Sequence, residues 1–556
     1  MLKKILFSTA LLFTLPVLIW AQNSCTDTSY KKRYISPHAI LNNAHYIIAA
    51  NDSSLVAGRI TDSVTNEAAW YIAKLTPLAD VQWAVKIRIP DKPTTNYPHL
   101  NNLVQLKNNG AVLMISQDAD TVITLIKVNT AGDIAWAKNI KEPNGDTFFS
   151  TQMYSHENDI YITCASQVDG GPGAGKSNPS IVKLDSNGAI VWSQYYGKNY
   201  DCKFSVPVGM LANDDSLIVF GRMLTATCSN PTIGFPDRER TYFSMKVNRF
   251  NGRMGKSMSY TNPLDLGPTG TPGLITFSFT ATKDGKLYFC SRFQGFYAGP
   301  NAGRTYKVPF LANLNTLPGI LYNVVPPVSI LYSKADVDAE GNTNILYSLN
   351  PGSNAQGQYL AKFAPDNSTI RQKYIATPVN TQSFNGGKHP FARKRNYISV
   401  LTNFKDNPGS YLQLTQLSND EQNSACFGKD TSFIRQQPYI IIPYSSPFFD
   451  GDFDLSLTVN DAPVSSSPLT INKEDYCETV AVCQNISISG KDTVCSLNQS
   501  VIYKSHLNAA CSKHIFWEID SSAIQSLNII DDTIVSIRFK KNGQAIFIHL
   551  LTPVHF

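Results

Sequence analysis

Charge is scarce in this chain. Asp, Glu, Lys and Arg make up 16% of its 556 residues, and the formal net charge is only +6. The basic residues are dispersed and form no stripe, so the electrostatic footprint of a nucleic-acid binder is missing. The nine histidines are scattered. None shows the His-x-x-x-His spacing that puts two metal ligands on one helix face. There is no Gly-x-Ser-x-Gly string, which excludes the nucleophile elbow of an α/β-hydrolase. Beyond the first twenty residues no apolar run is long enough to span a bilayer as a helix.

What is present suits β-structure. Aromatics reach 11%, with 26 Tyr and 28 Phe, and Asn, Ser and Thr are abundant between apolar runs. One phrase recurs. It reads Leu-Ile-Lys-Val-Asn-Thr-Ala-Gly-Asp-Ile-Ala-Trp at 125–136 and Ile-Val-Lys-Leu-Asp-Ser-Asn-Gly-Ala-Ile-Val-Trp at 181–192. A looser copy ends on Trp83. Each copy is a strand, a polar turn and a second strand. A second hairpin precedes it, as in Leu106-Lys107-Asn108-Asn109-Gly110-Ala111-Val112. Asn-Gly and Asp-Gly supply the positive φ angles of tight hairpins.

One unit is therefore four strands. The second hairpins start near Tyr71, Leu125, Ile181, Phe243, Pro309, Leu360 and Leu412. Seven such units between 35 and 425 predict an all-β, seven-bladed β-propeller, because a lone four-stranded sheet cannot bury both faces and must stack. An open β-solenoid is the structural alternative. Residues 426–483, with Pro438, Pro443, Pro447, Pro463 and Pro468, read as a connecting region. From 484 to 556 short alternating strands around Trp517 predict a β-sandwich.

The N-terminus reads as a signal peptide over 1–21. Lys3 and Lys4 precede the apolar run Ile5 to Trp20, and Ala21 offers a small residue for cleavage. The residues before Cys25 do not form a lipoprotein box. Export places ten cysteines in an oxidising compartment. Local pairings are Cys202 with Cys228, Cys477 with Cys483 and Cys495 with Cys511. Cys164 and Cys290 lie in apolar strand patterns and read as buried thiols.

Asp336-Val337-Asp338-Ala339-Glu340-Gly341-Asn342, followed by apolar residues, resembles the bacterial seven-bladed propeller repeat. Lys183 to Trp192 is similar to the phrase found in propellers of secreted Bacteroidetes proteins. Ile488 to Cys495, together with Trp517, resembles the PKD-like, immunoglobulin-fold modules of the same proteins. The resemblance implies an exported propeller protein with a C-terminal PKD-like module. That module ends about one strand short of a complete sandwich. The C-terminal sorting domain for type IX secretion that such surface proteins carry is not found in the sequence.

Several motifs invite chemistry. Gly170-Gly171-Pro172-Gly173-Ala174-Gly175-Lys176-Ser177 matches a P-loop formally, but Asn178-Pro179 and a strand follow where the phosphate-binding helix must begin. Asp336, Asp338, Glu340 and Asn344, with Gly341 at the turn, have the oxygen-ligand spacing of calcium loops and make a candidate calcium site. An ordinary turn with solvated acidic residues is the competing reading. Asp450-Gly451-Asp452-Phe453-Asp454 reads as a turn entering a strand. Trp83, Trp136 and Trp192 read as blade packing rather than sugar platforms, because they occupy equivalent repeat positions.

With no local catalytic constellation, the leading expectation is an exported, non-enzymatic surface or secreted protein. Its propeller would be a rigid platform and its PKD-like module a spacer or adhesive unit. A protein or glycan partner would bind at the insertions 167–179, 223–240 and 294–307, where the repeat is broken. The alternative is an extracellular polysaccharide lyase or hydrolase with its site in a central propeller pocket. A structural part of a secretion or surface-motility apparatus is the third reading.

Overall fold

The computed structural model describes the strands named here, which run between Ser29 and Leu551. It also describes the turns at 76–80, 129–133, 157–158, 185–189, 249–253 and 364–368, and short flanking stretches. No helix occurs among the described residues. The expected signal peptide at 1–21 lies outside them.

Seven five-stranded antiparallel sheets make up the larger unit, residues Thr28–Thr479. The first four strands of sheet 1 are Ala39–Ala49, Ser54–Asp62, Ala68–Leu75 and Val81–Arg88. Sheet 2 has His99–Gln105, Ala111–Ser116, Val122–Val128 and Ile134–Lys141. Sheet 3 has Phe148–His156, Asp159–Gln167, Ser177–Leu184 and Ile190–Gly197. Sheet 4 has Ser205–Ala212, Ser216–Met223, Tyr242–Asn248 and Met254–Thr261. Sheet 5 has Phe277–Ala281, Leu287–Arg292, Thr305–Phe310 and Gly319–Val324. Sheet 6 has Ile330–Val337, Thr343–Leu349, Gly357–Phe363 and Thr369–Ala376. In sheet 7, Phe391–Lys394, Tyr397–Lys405 and Ser410–Ser418 are followed by the N-terminal strand Ser29–Ile35, which pairs with Ser410–Ser418.

The fifth strands come from the stretch expected to be a connecting region. Lys429–Asp430 joins sheet 6, Ile434–Tyr439 sheet 5, Ile442–Pro443 sheet 4 and Gly451–Asp454 sheet 3. Thr458–Asp461 then joins sheet 2, Ser465–Pro468 sheet 1, and Asn472–Thr479 pairs with Ser29–Ile35 in sheet 7. One continuous segment thus descends from sheet 6 to sheet 1 and then reaches sheet 7. Its prolines fit this placement, because an outermost strand has an edge that needs no donor.

The first strand of each sheet from 1 to 5 lies against the first strand of the next. The first strand of sheet 1 also lies against the first three strands of sheet 7. Each sheet is thereby covered by its neighbours, and this sets its burial pattern. Ala111–Ser116, a second strand, is buried at every residue. In Ile134–Lys141, a fourth strand, only Ala137 and Ile140 are buried, and the rest are partly or fully exposed. A strand covered on both faces reads as a continuous apolar run, and a half-covered one alternates. Between sheets 1 and 2 the contact is made by Leu55, Ala57 and Ile72 against Leu103, Leu113 and Ile126. Each side chain of this size contributes about 1.5–3 kcal/mol when fully buried.

The recurring phrase forms the third strand, turn and fourth strand. Asp185 Oδ1 accepts from the N–H of Asn187 at 2.8 Å and of Ala189 at 2.9 Å. Asn129 Oδ1 does the same for Ala131 and Asp133, both at 2.9 Å. The ladder slips just before the turn, between Lys183 and Leu184 and between Lys127 and Val128. The result is a bulged hairpin with glycine in the left-handed region, at φ 97 for Gly132 and 79 for Gly188.

The smaller unit holds residues Val480–His555. Its described strands form a four-stranded sheet and a two-stranded ladder. The sheet runs in the order Ser487–Ser489, Val501–His506, Ile534–Phe539 and Ile524–Asp531. The ladder pairs Phe516–Ile519 with Ile548–Leu551. Val535, Ile537 and Phe539 alternate inward along one strand.

Candidate functional site

Turns and connections are sorted by side. The turns between third and fourth strands, at 76–80, 129–133, 185–189, 249–253 and 364–368, share one length. They sit beside one another because aromatic residues of one sheet bond to the turn of the next. Trp83 Nε1–H donates to Thr130 O at 2.9 Å, Trp136 Nε1–H to Ser186 O at 3.0 Å and Trp192 Nε1–H to Arg249 O at 3.1 Å. Tyrosines do this elsewhere: Tyr34 Oη donates to Ala79 O, Tyr196 to Gly252 O and Tyr260 to Leu314 O. The tryptophans are therefore packing residues, engaged at both ring and N–H.

The opposite side carries the connections of unequal length. Second strands reach third strands through 63–67 in sheet 1, 168–176 in sheet 3, 224–241 in sheet 4 and 293–304 in sheet 5. Sheets are joined there through 89–98, 262–276 and 377–390. The insertions expected to bind a partner belong to this side, although their central residues lie outside the described ones. The first strands also deform near it. Their ladders slip between Leu100 and Asn102, Ser150 and Gln152, Pro207 and Gly209, and Ile330 and Tyr332. The extra residues are Asn101, Thr151, Val208 and Leu331. Bulges of this kind re-aim a strand at a rim or beside a site.

A buried polar set lies on this side between sheets 2 and 3. Glu142, just past the fourth strand of sheet 2, is 5% exposed. Cys164, Ser166, Asn178 and Ser180 are also buried. They share one face of sheet 3, because Cys164 stands opposite Ser180 and Ser166 opposite Asn178. The Ser166 and Ser180 hydroxyls bond to each other. Burial pushes the Cys164 thiol well up, and the nearby Glu142 charge pushes it further. Cys164 is a free thiol, and Cys290 is buried as well. No local pattern marks this set, since Glu142 and Ser180 come from different repeat units.

Of the calcium candidates, Asp338 is engaged within its own turn. Asp338 Oδ1 accepts from the N–H of Glu340 at 3.1 Å and of Asn342 at 2.7 Å, and Oδ2 accepts from Asn342 Nδ2 at 2.8 Å. Asp338 thus does in its turn what Asn129 does without a charge. Asp336 faces Asn344 across the ladder, and Asn344 faces Lys362. Glu340 is exposed. Among the described residues no group of three or more His, Cys, Asp or Glu side chains is placed to hold a metal ion.

The remaining motifs resolve as structure. Asp452 Oδ1 accepts from Met254 N–H at 3.0 Å, Asp454 Oδ1 from Gln194 Nε2 at 2.7 Å, and Phe453 stacks on Tyr195. The formal P-loop falls on 170–177, mostly outside the described residues, and a strand starts at Ser177. The expected cysteine pairings also fall outside what is described. No helix among the described residues is long and apolar enough to cross a membrane.

No family model and no curated protein matches the sequence. Solved structures do. A Penicillium chrysogenum α-L-arabinanase aligns at 13% identity over 60% of this chain and 96% of its own, with a TM-score of 0.36. The exotype rhamnogalacturonan lyase YesX aligns at 10% identity over 68% and 90%, with a TM-score of 0.27. An endosialidase of phage phi92 aligns at 11% identity over 87% and 86%, with a TM-score of 0.28. The fold is β-propeller-like and all-β. The expectation of a non-enzymatic binding platform has no counterpart among these structures, which are described as an arabinanase, a lyase and an endosialidase.

Proposed function

We propose that the chain is an exported carbohydrate-active enzyme, a polysaccharide hydrolase or lyase, working on the side where the unequal connections emerge. The carrying observation is the one-sidedness of the molecule. Every clamped, uniform turn is on one side, while bulged first strands and the buried Glu142 set are on the other. Loops on a rigid scaffold are where binding and catalysis concentrate.

The seven sheets are in this reading the blades of a seven-bladed propeller. Its support is the bonding from Tyr34 in sheet 7 to Ala79 in sheet 1 and onward through the tryptophans. Residues 484–556 are an incomplete PKD-like, immunoglobulin-fold module, supported by the alternating strand Ile534–Phe539. Export rests on the Lys3, Lys4 and Ile5–Trp20 pattern. Glu142 is the proton donor: a carboxyl placed out of water can protonate a leaving glycosidic oxygen in either reaction class. The Ser166 and Ser180 hydroxyls orient the sugar beside it.

The test is a panel of arabinan, galactan, rhamnogalacturonan and polysialic acid. Reducing ends report hydrolysis, and ultraviolet absorbance of an unsaturated uronide reports elimination. Absence of both products from folded protein removes the enzyme reading. Glu142→Gln is expected to lower turnover about 10²–10⁴-fold. Glu157→Gln, an exposed ion-pair partner of Lys107 on the opposite side, is expected to leave it unchanged. Unaltered turnover in Glu142→Gln removes that residue from the mechanism while leaving the activity standing.

A further inference from the structure

The packing between sheets 6 and 7 contains a second buried polar set, beside apolar residues such as Val400, which stands opposite Thr415. From sheet 7, one face presents Lys31, Thr402, Gln413 and Thr415, all buried. Register places them together, since Thr402 stands opposite Gln413 and Thr415 opposite Lys31. From sheet 6 come Gln358 at 2% exposure and Lys373 at 1%.

Two bonds cross the seam. Lys31 Nζ donates to Ile375 O at 3.2 Å, and Thr402 Oγ1 donates to Gln358 Oε1 at 2.7 Å. They bring the lysine and the amide close, because Ile375 adjoins Ala376, which stands opposite Gln358. Lys373 is two residues from Ile375 on the same strand. The Gln358 carbonyl is thus satisfied, but its Nε2 has no hydrogen-bond partner. A buried amide donor without an acceptor is left with its full desolvation cost. Burial also lowers the Lys31 pKa, and no carboxylate contributes to raise it. The acids that register places near the seam are Asp430, opposite Lys373, Glu474, opposite Arg33, and Asp336, opposite Asn344. Arg33, Lys362 and Arg371 stand against them.

We propose that this seam is a binding site for a small inorganic anion, held by Lys31 Nζ and Gln358 Nε2 with Lys373 supplying further positive charge. The anion accepts from the orphaned amide and neutralises buried charge, which is how a packed interface keeps a lysine out of water. A second role follows for closure of the chain. Lys31 belongs to the N-terminal strand, so the anion ties that strand to sheet 6.

The test uses the full chain at constant ionic strength, exchanging gluconate for chloride, nitrate or sulfate. The thermal midpoint is expected to rise and saturate with one of the small anions, as mass action requires of a ligand bound only by the folded state. Gln358→Leu, which removes the donor and keeps the volume, is expected to abolish the anion-dependent rise while the protein folds in gluconate. Equal midpoints in gluconate and all three anions overturn the proposal. So does an undiminished rise in Gln358→Leu. Anomalous scattering from bromide-soaked crystals gives a second readout that needs no variant. A peak between Lys31 and Gln358 supports the site, and density for water alone overturns it.

Discussion

Gly252 shows how much one residue of the repeated phrase must satisfy. Its φ of +76 lies where only glycine is free of steric cost, and a Cβ there would meet Trp192 Cε3 and Gln194 Cγ at 2.7 Å. Gly132 and Gly188 face Trp83 and Trp136 in the same way. The glycine and tryptophan of the phrase are therefore partners, though never within one copy: each tryptophan caps the glycine of the next sheet. Gly252→Ala is expected to destabilise by about 2 kcal/mol, combining backbone strain with overpacking. Trp192→Phe keeps the ring contact but removes the bond to Arg249 O, for a loss of about 1 kcal/mol. Denaturant midpoints measure both. A smaller loss for the glycine variant than for Trp192→Phe would mean the ring yields, and that the turn rather than the clamp needs the glycine.

At the scale of elements, legibility divides by sequence separation. Asp185, Gly188 and Trp192 lie within one hairpin, so their spacing alone announces strand, turn and strand. The fifth strands carried no such signal. Gly451–Asp454 pairs with Gln194 to Gly197, and the Gln194–Asp454 bond spans 260 residues. A short strand set by distant pairing looks like a loop with prolines. The Glu142 set stayed hidden for the same reason, being assembled across two repeats. The segment that supplies the fifth strands forms an outer belt, and in sheet 1 it is exposed at every residue. Ser465–Pro468 is exposed at all four residues, whereas Ala111–Ser116 is buried throughout. Amides of the belt are expected to exchange with solvent hydrogen well before those of the second strands, through local opening. Equal protection of Ser466 and Val112 would show instead that belt and sheet open as one unit.

At the scale of the whole molecule, buried phenols set the alkaline limit of stability. Tyr71, Tyr196 and Tyr260 are fully buried, and burial raises each pKa above its ordinary value. The nearby Asp452 charge adds to the rise at Tyr196. The folded chain therefore holds these protons at pH values where the unfolded chain has lost them. Stability from this source is complete below the ordinary tyrosine pKa near 10 and is lost as pH rises through the higher folded values. Lys31 and Lys307 act in the opposite sense, since burial lowers both. Their folded forms prefer to be neutral, so they favour folding as pH rises toward the ordinary lysine value. The tyrosines lie between sheets, with Tyr196 and Tyr260 each bonded to a neighbouring turn, so ionisation breaks inter-sheet bonds as well as charging the core. Stability is expected to fall above pH 10, with phenolate absorbance at 295 nm or nearby appearing together with loss of sheet structure, roughly in one cooperative step. Tyr196→Phe removes one ionisable group and is expected to shift that step upward in pH while lowering stability at pH 7 by about 1 kcal/mol. Phenolate signal appearing well before unfolding would show that these side chains are reached by solvent in the folded state, and would move the alkaline limit to another group.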